Sequence, residues 1–331
     1  MGLPVDFSII IPFQNLSKDL EECLTCIKEL SYKSFEVILL PDDAIVLPDI
    51  FSTMAVEIIA TGKTGPAVKR DIGARRAKGK YLAFIDDDAY PEKTWLSIAK
   101  KFFETNNMVG AVGGPAVTPG SDSFWSRVSG AVFLSRISGG FPERYVPVYP
   151  AKIVDDWPSV NLIVKKKVFK EVGGFDSNYW PGEDTKFCRD IQLKGWKIYC
   201  LPDLIVYHHR RSSLIRHLKQ IGNYGFHRGM FAVRYPENSR KIKYFIPAFF
   251  VLFLLTGSIS SFFSTYAQIL FTAGFSLYIL AVFISLQDII KHEKLFVALL
   301  STPYIFLTHL WYGTRFIKGL CTLKYKGSLG R

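Results

Sequence analysis

The sequence predicts an α/β domain with a mostly parallel sheet, followed by two or three membrane helices at its C-terminal end. Two observations lead to this fold class. In the first part of the chain, short apolar runs alternate with helical patterns in a β-α-β-α-β order, and two of the runs end in carboxylates, where open α/β sheets bind ligands. Farther along, residues 245–287 contain no Asp, Glu, Lys or Arg and are long enough for two bilayer crossings.

The predicted strands are near-continuous apolar runs, which are typical of strands buried on both faces of a parallel sheet. They cover residues 7–12, 35–40, 56–60, 81–85, 109–117, 159–164 and a pair of strands within 198–207. Residues 119–154 show weak periodicity, which predicts an irregular lid or binding loop. The first helix carries Cys23 and Cys26 on its apolar stripe, where packing explains them better than the alternative, a redox role.

The chain is organised around residues 81–91, where an apolar strand ends in Asp86, Asp87 and Asp88. Adjacent carboxylates repel one another, and a divalent cation that takes oxygen ligands relieves that repulsion. Because side chains alternate along an extended segment, Asp86 and Asp88 are predicted to face one side as a metal pair and Asp87 the other. The alternative is a solvated acidic turn that caps a helix beginning near Glu92.

The membrane segments are predicted at about 245–263, 266–287 and 295–314, and the third contains Pro303 and His309. This third segment is either a span or a re-entrant or interfacial helix. If all three cross, the basic tail 318–331 lies outside, against the positive-inside tendency.

The chain has a net charge of +12, and much of the basic excess precedes the first span. This position predicts a cytoplasmic face in contact with anionic membrane lipid, and it argues against nucleic acid as a partner. The residues concerned are Arg210, Arg211, Arg216, Lys219, Arg228, Arg234, Arg240, Lys241 and Lys243.

Six motifs resemble, in order and spacing, the family 2 glycosyltransferases with the GT-A fold, over about residues 7–210. They are Ser8-Ile-Ile-Ile-Pro12, Asp42-Asp43, Arg70 with Gly73, Phe84-Ile-Asp-Asp-Asp88, Gly173-Gly-Phe-Asp176 and Gly182-Glu-Asp184. The chain has neither a P-loop nor a G-x-G-x-x-G after its first strand, so another device must hold phosphates. The resemblance implies a mostly parallel mixed sheet and a nucleotide-diphosphate sugar as donor.

The resemblance also implies roles for individual residues. Pro12 and Asp43, with Asp42 as neighbour, would surround the base, and Arg70 would lie near the base or the phosphates. Asp86 would lie near the ribose and the metal, and Asp88 would bind Mg²⁺ or Mn²⁺. The sequence departs from the family pattern at Asp71, where Asn is usual, and at Pro41-Asp-Asp-Ala44, where Asp-Asp-Gly-Ser is commoner.

Asp184 matches the catalytic base of that family, which deprotonates an acceptor hydroxyl during an inverting displacement. Glu183 would orient or bind the acceptor. Without the resemblance, Gly182-Glu-Asp-Thr185 reads as a helix N-terminus with acidic first-turn residues.

Basic side chains follow the last predicted strand. His208 is predicted as a third metal ligand in preference to His209, with a plain juxtamembrane histidine pair as the alternative. Arg210 and Arg211 are candidates for binding the diphosphate, because guanidinium groups bind phosphate bidentately.

The resulting prediction is a membrane-anchored inverting glycosyltransferase that transfers a sugar to a hydroxyl of a lipid-linked or cell-surface glycan on the cytoplasmic face. Its parts are a catalytic domain over 1–210, basic juxtamembrane helices over 211–243, a membrane segment over 244–317 and the tail 318–331. The near alternative is a polyprenyl-phosphate glycosyltransferase, and a more distant one is a non-catalytic protein that binds nucleotide sugars. Oligomeric state and donor sugar are not predicted.

Overall fold

The computed structural model describes residues 5–138, 140–322, 324 and 325. The chain divides into two compact units. The α/β unit comprises residues up to 117 and residues 143–209, and the helical unit comprises residues 118–142 and 210–325. The second unit therefore takes a segment, 118–142, out of the region predicted as one domain ending at 210.

Within the residues described, the α/β unit contains eleven strands and five α-helices. Its strands are β1 (Phe7–Pro12), β2 (Phe35–Leu40), β3 (Val56–Ile58), β4 (Tyr81–Ile85), β5 (Ala89–Pro91), β6 (Val109–Gly113), β7 (Ala116–Val117), β8 (Lys152–Val154), β9 (Asn161–Lys165), β10 (Lys197–Cys200) and β11 (Val206–His208). Its helices are α1 (Lys18–Lys28), α2 (Pro66–Arg76), α3 (Trp95–Thr105), α5 (Lys166–Glu171) and α6 (Glu183–Leu193); α4 belongs to the other unit.

The main sheet has eight strands in the order β3-β2-β1-β4-β9-β6-β10-β8. Strands β3, β2, β1 and β4 are mutually parallel, whereas β9 runs antiparallel to both β4 and β6. A small second sheet has the order β5-β11-β7. The predicted mixed sheet is confirmed.

Helices cover both faces of the main sheet, as its continuous apolar strands require. Along β1, Ile9 and Ile11 face one core cluster, which includes side chains of α1 and α3. Ile10 faces the opposite cluster, which includes side chains of α2, α5 and α6. Alternate side chains of one strand thus serve two separate cores.

Two local predictions are wrong. The run 109–117 forms two strands in different sheets, because it is interrupted by Gly114 and Pro115; a Cβ at Gly114 would lie 1.8 Å from a backbone carbonyl oxygen. Residues 86–88 form a turn, closed by a hydrogen bond from the Ala89 N–H to the Asp86 carbonyl at 3.2 Å, and β5 follows. The extended alternation assumed for the three aspartates is therefore absent, and the next helix begins only at Trp95.

The helical unit contains α4 (Phe124–Leu134), α7 (Leu214–Arg234), α8 (Pro236–Ser239), α9 (Ile242–Ser260), α10 (Thr265–Ile290) and α11 (Leu295–Leu320). Three of these, α9, α10 and α11, are long and apolar enough to cross a membrane, as predicted. Helix α4 lies in the segment predicted to be irregular, where Ser123 caps its first turn. Residues 323 and 326–331 of the predicted basic tail lie outside the described residues.

The two cysteines of α1 provide a test of the packing role. Cys23 is fully buried and burial raises the pKa of its thiol, whereas Cys26 is only partly buried. We expect Cys23→Ser to destabilise the protein by about 1–3 kcal/mol, because it buries a hydroxyl among apolar side chains. The matched Cys26→Ser change should have little effect on thermal unfolding. A loss of activity that follows Cys26→Ser or thiol oxidation, with unfolding unchanged, would support the redox role instead.

Candidate active site

The candidate site lies at the edge of the main sheet where its parallel strands end. Strands β2, β1 and β4 are adjacent and parallel, so their C-terminal ends meet at one edge. This topology brings together Pro12 at the end of β1, Asp42 and Asp43 beyond β2, and Asp86 beyond β4. Because β9 is antiparallel to β4, it begins at this same edge, with Asn161 opposite Ile85.

Arg70 on α2 is the central cation of the site. Its side chain is 3% exposed, and it donates to Asp86 Oδ1 at 2.6 Å and to Glu183 Oε1 at 2.8 Å. The guanidinium also lies 5.6 Å from the centre of the Phe175 ring. One buried cation therefore connects α2, the end of β4 and the start of α6.

The N-terminus of α6 carries the two candidate acceptor-side carboxylates. Glu183 is bound to Arg70, whereas Asp184 accepts the N–H of Thr185 at 2.8 Å and the N–H of Ser159 at 3.4 Å. Burial raises the pKa of Asp184 to about 7, and the neighbouring carboxylates of Glu183 and Asp156 add to the rise. Asp184 is thus a carboxyl group that changes charge near neutral pH.

The acidic turn brings Asp88 and His208 together. Strands β5 and β11 pair antiparallel, with Ala89 opposite His208, and this pairing places His208 Nε2 at 3.2 Å from Asp88 Oδ1. Burial, reinforced by Asp88 and Asp86, raises the pKa of Asp87 to about 8. An aspartate–histidine pair therefore lies beside a carboxyl group, Asp87, whose ionisation is opposed by burial and by its acidic neighbours.

The donors at this turn fit a divalent cation. A carboxylate oxygen and an imidazole nitrogen are both good ligands for Mn²⁺, and a carboxylate suits Mg²⁺. Asp86 is engaged with Arg70, and no group of three His, Cys, Asp or Glu side chains in the described ranges is arranged to hold a metal. The chain would supply Asp88 and His208, and the predicted ligand set of Asp86, Asp88 and His208 stays a prediction.

The two aspartates after β2 have different surroundings. Asp42 is 5% exposed and pairs with Lys69 at 2.7 Å, and Lys69 also donates to the carbonyl of Leu40 at 3.0 Å. Asp43 is exposed. Asp42 therefore fixes the loop after β2 to α2, while the side chain of Asp43 is accessible for contact with the base of a nucleotide.

The remaining predicted residues are held elsewhere. His209 Nε2 lies 3.0 Å from Glu22 Oε2. Arg210 and Arg211 belong to the helical unit, where the Arg210 N–H donates to Asp122 at 3.0 Å and its Nε donates to Thr118 at 3.1 Å.

Two residues without a predicted role, Asp71 and Asp156, shape the site. Asp71 accepts the N–H groups of Phe175 at 2.8 Å and Asp176 at 3.1 Å, so it holds the turn that places Phe175 beneath Arg70. Asp156, bound by Arg144 at 3.3 Å, adds negative charge near Asp184. The Asp155-Asp156 pair is visible in the sequence, but it lies between the segment 119–154, interpreted as an irregular loop, and the strand predicted at 159–164, and no motif includes it.

Removing the central cation provides a test of this arrangement. We expect Arg70→Met to destabilise the protein by about 3–5 kcal/mol, because it leaves the carboxylate of Glu183 buried without its partner. The double variant Arg70→Met/Glu183→Gln should recover part of that loss. Arg76→Met is the matched control: Arg76 lies on the same helix, and its pair with Glu57 of β3 is partly exposed to solvent and should contribute less than about 1 kcal/mol. Equal losses in thermal or denaturant unfolding for Arg70→Met and Arg76→Met would contradict the assignment.

The chain is similar in sequence to known glycosyltransferases. A pre-mycofactocin glycosyltransferase of Mycobacterium tuberculosis is 24% identical over 245 residues, which cover 71% of this chain but only 49% of that protein, so the chain spans about half of its length. A dolichyl N-acetyl-α-D-glucosaminyl phosphate 3-β-D-2,3-diacetamido-2,3-dideoxy-β-D-glucuronosyltransferase of Methanococcus voltae is 24% identical over 75% of this chain and 73% of that protein.

The fold is likewise shared with a solved structure. The mannosyltransferase PcManGT from Pyrobaculum calidifontis, in complex with GDP-Man and Mn²⁺, superposes with a TM-score of 0.54 at 19% identity, over 96% of this chain and 88% of that one. The profile of the family described as glycosyl transferase family 2 matches residues 8–173, half of the sequence. The chain belongs to glycosyl transferase family 2, and its α/β unit has the GT-A-like fold that the sequence predicts.

Proposed function

We propose that this protein is a membrane-anchored inverting glycosyltransferase that moves a sugar from a nucleotide-diphosphate sugar to a hydroxyl of a lipid-linked or cell-surface glycan. The observation that carries this proposal is the environment of Asp184. Its carboxyl group is half-buried and has a pKa of about 7, its neighbour Glu183 is bound to Arg70, and its oxygens accept two backbone N–H groups. A general base works best when its pKa lies near the working pH.

In the proposed reaction the acceptor hydroxyl gives its proton to Asp184. Its oxygen forms a bond to the anomeric carbon while the bond from that carbon to the diphosphate oxygen breaks, and the nucleoside diphosphate leaves on the opposite side. A single displacement of this kind inverts the configuration at the anomeric carbon. Glu183, fixed by Arg70, would orient the acceptor, because a carboxylate accepts hydrogen bonds from sugar hydroxyls.

The donor would lie along the sheet edge. Pro12 and Asp43 would contact the nucleotide base, Asp86 would lie by the ribose, and Arg210 and Arg211 would bind the diphosphate. Asp88 and His208 would hold a divalent cation that, when bound, offsets negative charge on the leaving diphosphate. Arg70 keeps Asp86 in place, since the pair is only 2.6 Å apart.

The acceptor is inferred from the chemistry and from the membrane helices. A phosphate acceptor is already ionised and needs no base, so the raised pKa of Asp184 favours a hydroxyl over the alternative, a polyprenyl phosphate. The name of the Methanococcus relative specifies a lipid-linked sugar phosphate as the molecule that it acts on. Three apolar helices would keep the present chain at a membrane where such acceptors reside, with the catalytic unit on the cytoplasmic face.

The role of Asp184 is tested by removing its charge. We expect Asp184→Asn to lower kcat by about 10²–10⁴-fold, the usual contribution of a general base, with donor affinity largely retained. Asp190→Asn is the control, because Asp190 lies on the same helix but pairs with Lys186 and Arg189. Initial rates with a panel of nucleotide sugars and lipid-linked acceptors measure both. Full transfer by Asp184→Asn would point to the phosphate-acceptor reaction.

Removing the charge of Asp184 should lower activity but raise the stability of the folded protein. The pKa of Asp184 is higher in the folded than in the unfolded protein, so the folded state holds the proton more tightly, and stability falls as the pH rises from about 4 through about 7. Asp184→Asn should therefore raise the melting temperature more at pH 8 than at pH 5. Wild-type activity should decline as the pH falls below about 7. A melting temperature that Asp184→Asn leaves unchanged at both pH values would contradict a buried, costly charge.

The metal site is tested with two neighbouring histidines. We expect His208→Ala to raise the Mn²⁺ concentration needed for half-maximal activity by at least about tenfold, because it removes a ligand beside Asp88. His209→Ala should leave that concentration nearly unchanged, since His209 contacts Glu22. Activity of the wild type should be lost with a chelator and restored by Mn²⁺ or Mg²⁺. Identical metal dependence of the two variants would rule out His208 as a ligand.

A further inference from the structure

Helices α9 and α10 form an antiparallel hairpin. Side-chain contacts between the two helices show how far each contacting residue lies from the two ends of the hairpin, its base and its tip. The base is where α9 begins and α10 ends, and the tip is the turn at 261–264. Phe250 stacks on Tyr278 with ring centres 4.2 Å apart. Nearer the tip, Phe253 meets Phe271 at 5.3 Å, and Phe271 also covers Gly257.

Helix α11 starts at the base of this hairpin and goes only part of the way toward the tip. Near its start, Val297 and Ala298 share a core cluster with Val282, Leu286 and Ile289 of α10. Farther along, the ring of Phe306 lies 6.1 Å from those of Phe250 and Tyr278, and His309 Nδ1 lies 2.9 Å from the Tyr278 hydroxyl.

Beyond His309, the second half of α11 lies beside the first turns of α9. Gly313 lies against the carbonyl of Pro247, which a Cβ would approach to 2.2 Å, and the ring of Phe316 is 4.8 Å from that of Phe245. A straight crossing of 26 residues, about 39 Å, would end near the tip. Instead, the last turns of α11 lie beside the first turn of α9.

Helix α7 supports the same placement. Gly225 and Gly229 of α7 lie against the carbonyls of Tyr312 and Phe316, where Cβ atoms would come within 2.5 Å and 2.1 Å, so α7 packs directly along the second half of α11. Helix α7 also carries Arg216, Lys219 and Arg228. Because charged side chains are costly in hydrocarbon, these residues favour a position of α7 at the depth of the headgroups, and the second half of α11 lies directly beside it.

The charges of α11 agree with this depth. Of the three long apolar helices, α11 is the least hydrophobic, and its second half contains Arg315 and Lys318. Arg315 donates to the carbonyl of Gly222 on α7. If both ends of α11 lie at the base, these cations and Lys324 share a side with Lys241 and Lys243, as the positive-inside tendency favours.

We infer that α9 and α10 make the only two bilayer crossings in the described part of the chain, and that α11 lies within one leaflet, with both of its ends on the side where α9 begins. The ligand of this surface is that leaflet of the lipid bilayer, with anionic headgroups against the basic residues of α7 and α11. This inference concerns the membrane segment alone and does not depend on the proposed reaction.

The test uses Cys321, an exposed free cysteine at the end of α11. A membrane-impermeant maleimide is applied to sealed vesicles that contain the full chain, in both orientations. Two variants act as reporters, each in a Cys321→Ser background: Val46→Cys marks the α/β unit, where Val46 is 89% exposed, and Phe262→Cys marks the hairpin tip, where Phe262 is 87% exposed. Cys26→Ser is included throughout to remove the other accessible thiol.

We expect Cys321 to be labelled in the same vesicle orientation as Val46→Cys, and Phe262→Cys only in the other. Labelling of Cys321 together with Phe262→Cys would show that α11 crosses and would overturn the inference. Labelling of Phe262→Cys together with Val46→Cys would also overturn it, because the hairpin would then not cross. Protection of Cys321 in both orientations until detergent is added would place the end of α11 in the hydrocarbon, which contradicts the inference as well.

Discussion

The site depends on a single buried cation. Arg70 has almost no exposure to solvent, and a guanidinium in that position is stable only because two carboxylates, Asp86 and Glu183, accept its hydrogen bonds. The contacts come from three separate parts of the chain, so the pair of bonds fixes the end of β4 relative to the start of α6. The ring of Phe175 packs against the Arg70 guanidinium. Asp71, one residue after Arg70, accepts the N–H of Phe175 and so holds the turn that contains Phe175. Asp184 is the residue after Glu183, so it lies on the same first turn of α6 that Arg70 holds.

The sequence motifs acquire a physical meaning from the same framework. In Gly173-Gly-Phe-Asp176, both glycines and the aspartate have positive φ angles, and a Cβ on Gly174 would lie 2.7 Å from Asp71 Oδ1. The turn therefore needs glycine and a small acceptor on α2 at once. Asp71 departs from the usual family residue, yet its two carboxylate oxygens receive the two backbone N–H groups of the turn.

Much of the α/β unit could be predicted because its strands are buried on both faces. The apolar runs at Phe7–Pro12 and Phe35–Leu40 match β1 and β2 residue for residue, and the carboxylates after β2 and β4 were placed at the correct edge. Contacts between residues that are far apart in the sequence were harder to predict. His208 meets Asp88 only because β5, three residues long, pairs with β11, and no local pattern shows that pairing. Hydropathy likewise cannot show whether α11 crosses the membrane, because it depends on the length and composition of the helix and not on which helices pack beside it.

The discontinuity of the α/β unit has a practical consequence. The chain leaves that unit after β7 and returns at residue 143, and in between α4 buries Val128, Ala131 and Val132 among side chains of α10 and α11. A fragment cut at residue 210 would keep α4 and lose the helices that cover it, so an apolar face would meet water and promote aggregation. A soluble version of the catalytic half is therefore not a simple N-terminal fragment: it needs a second cut, with a polar linker from residue 117 to residue 143 in place of α4.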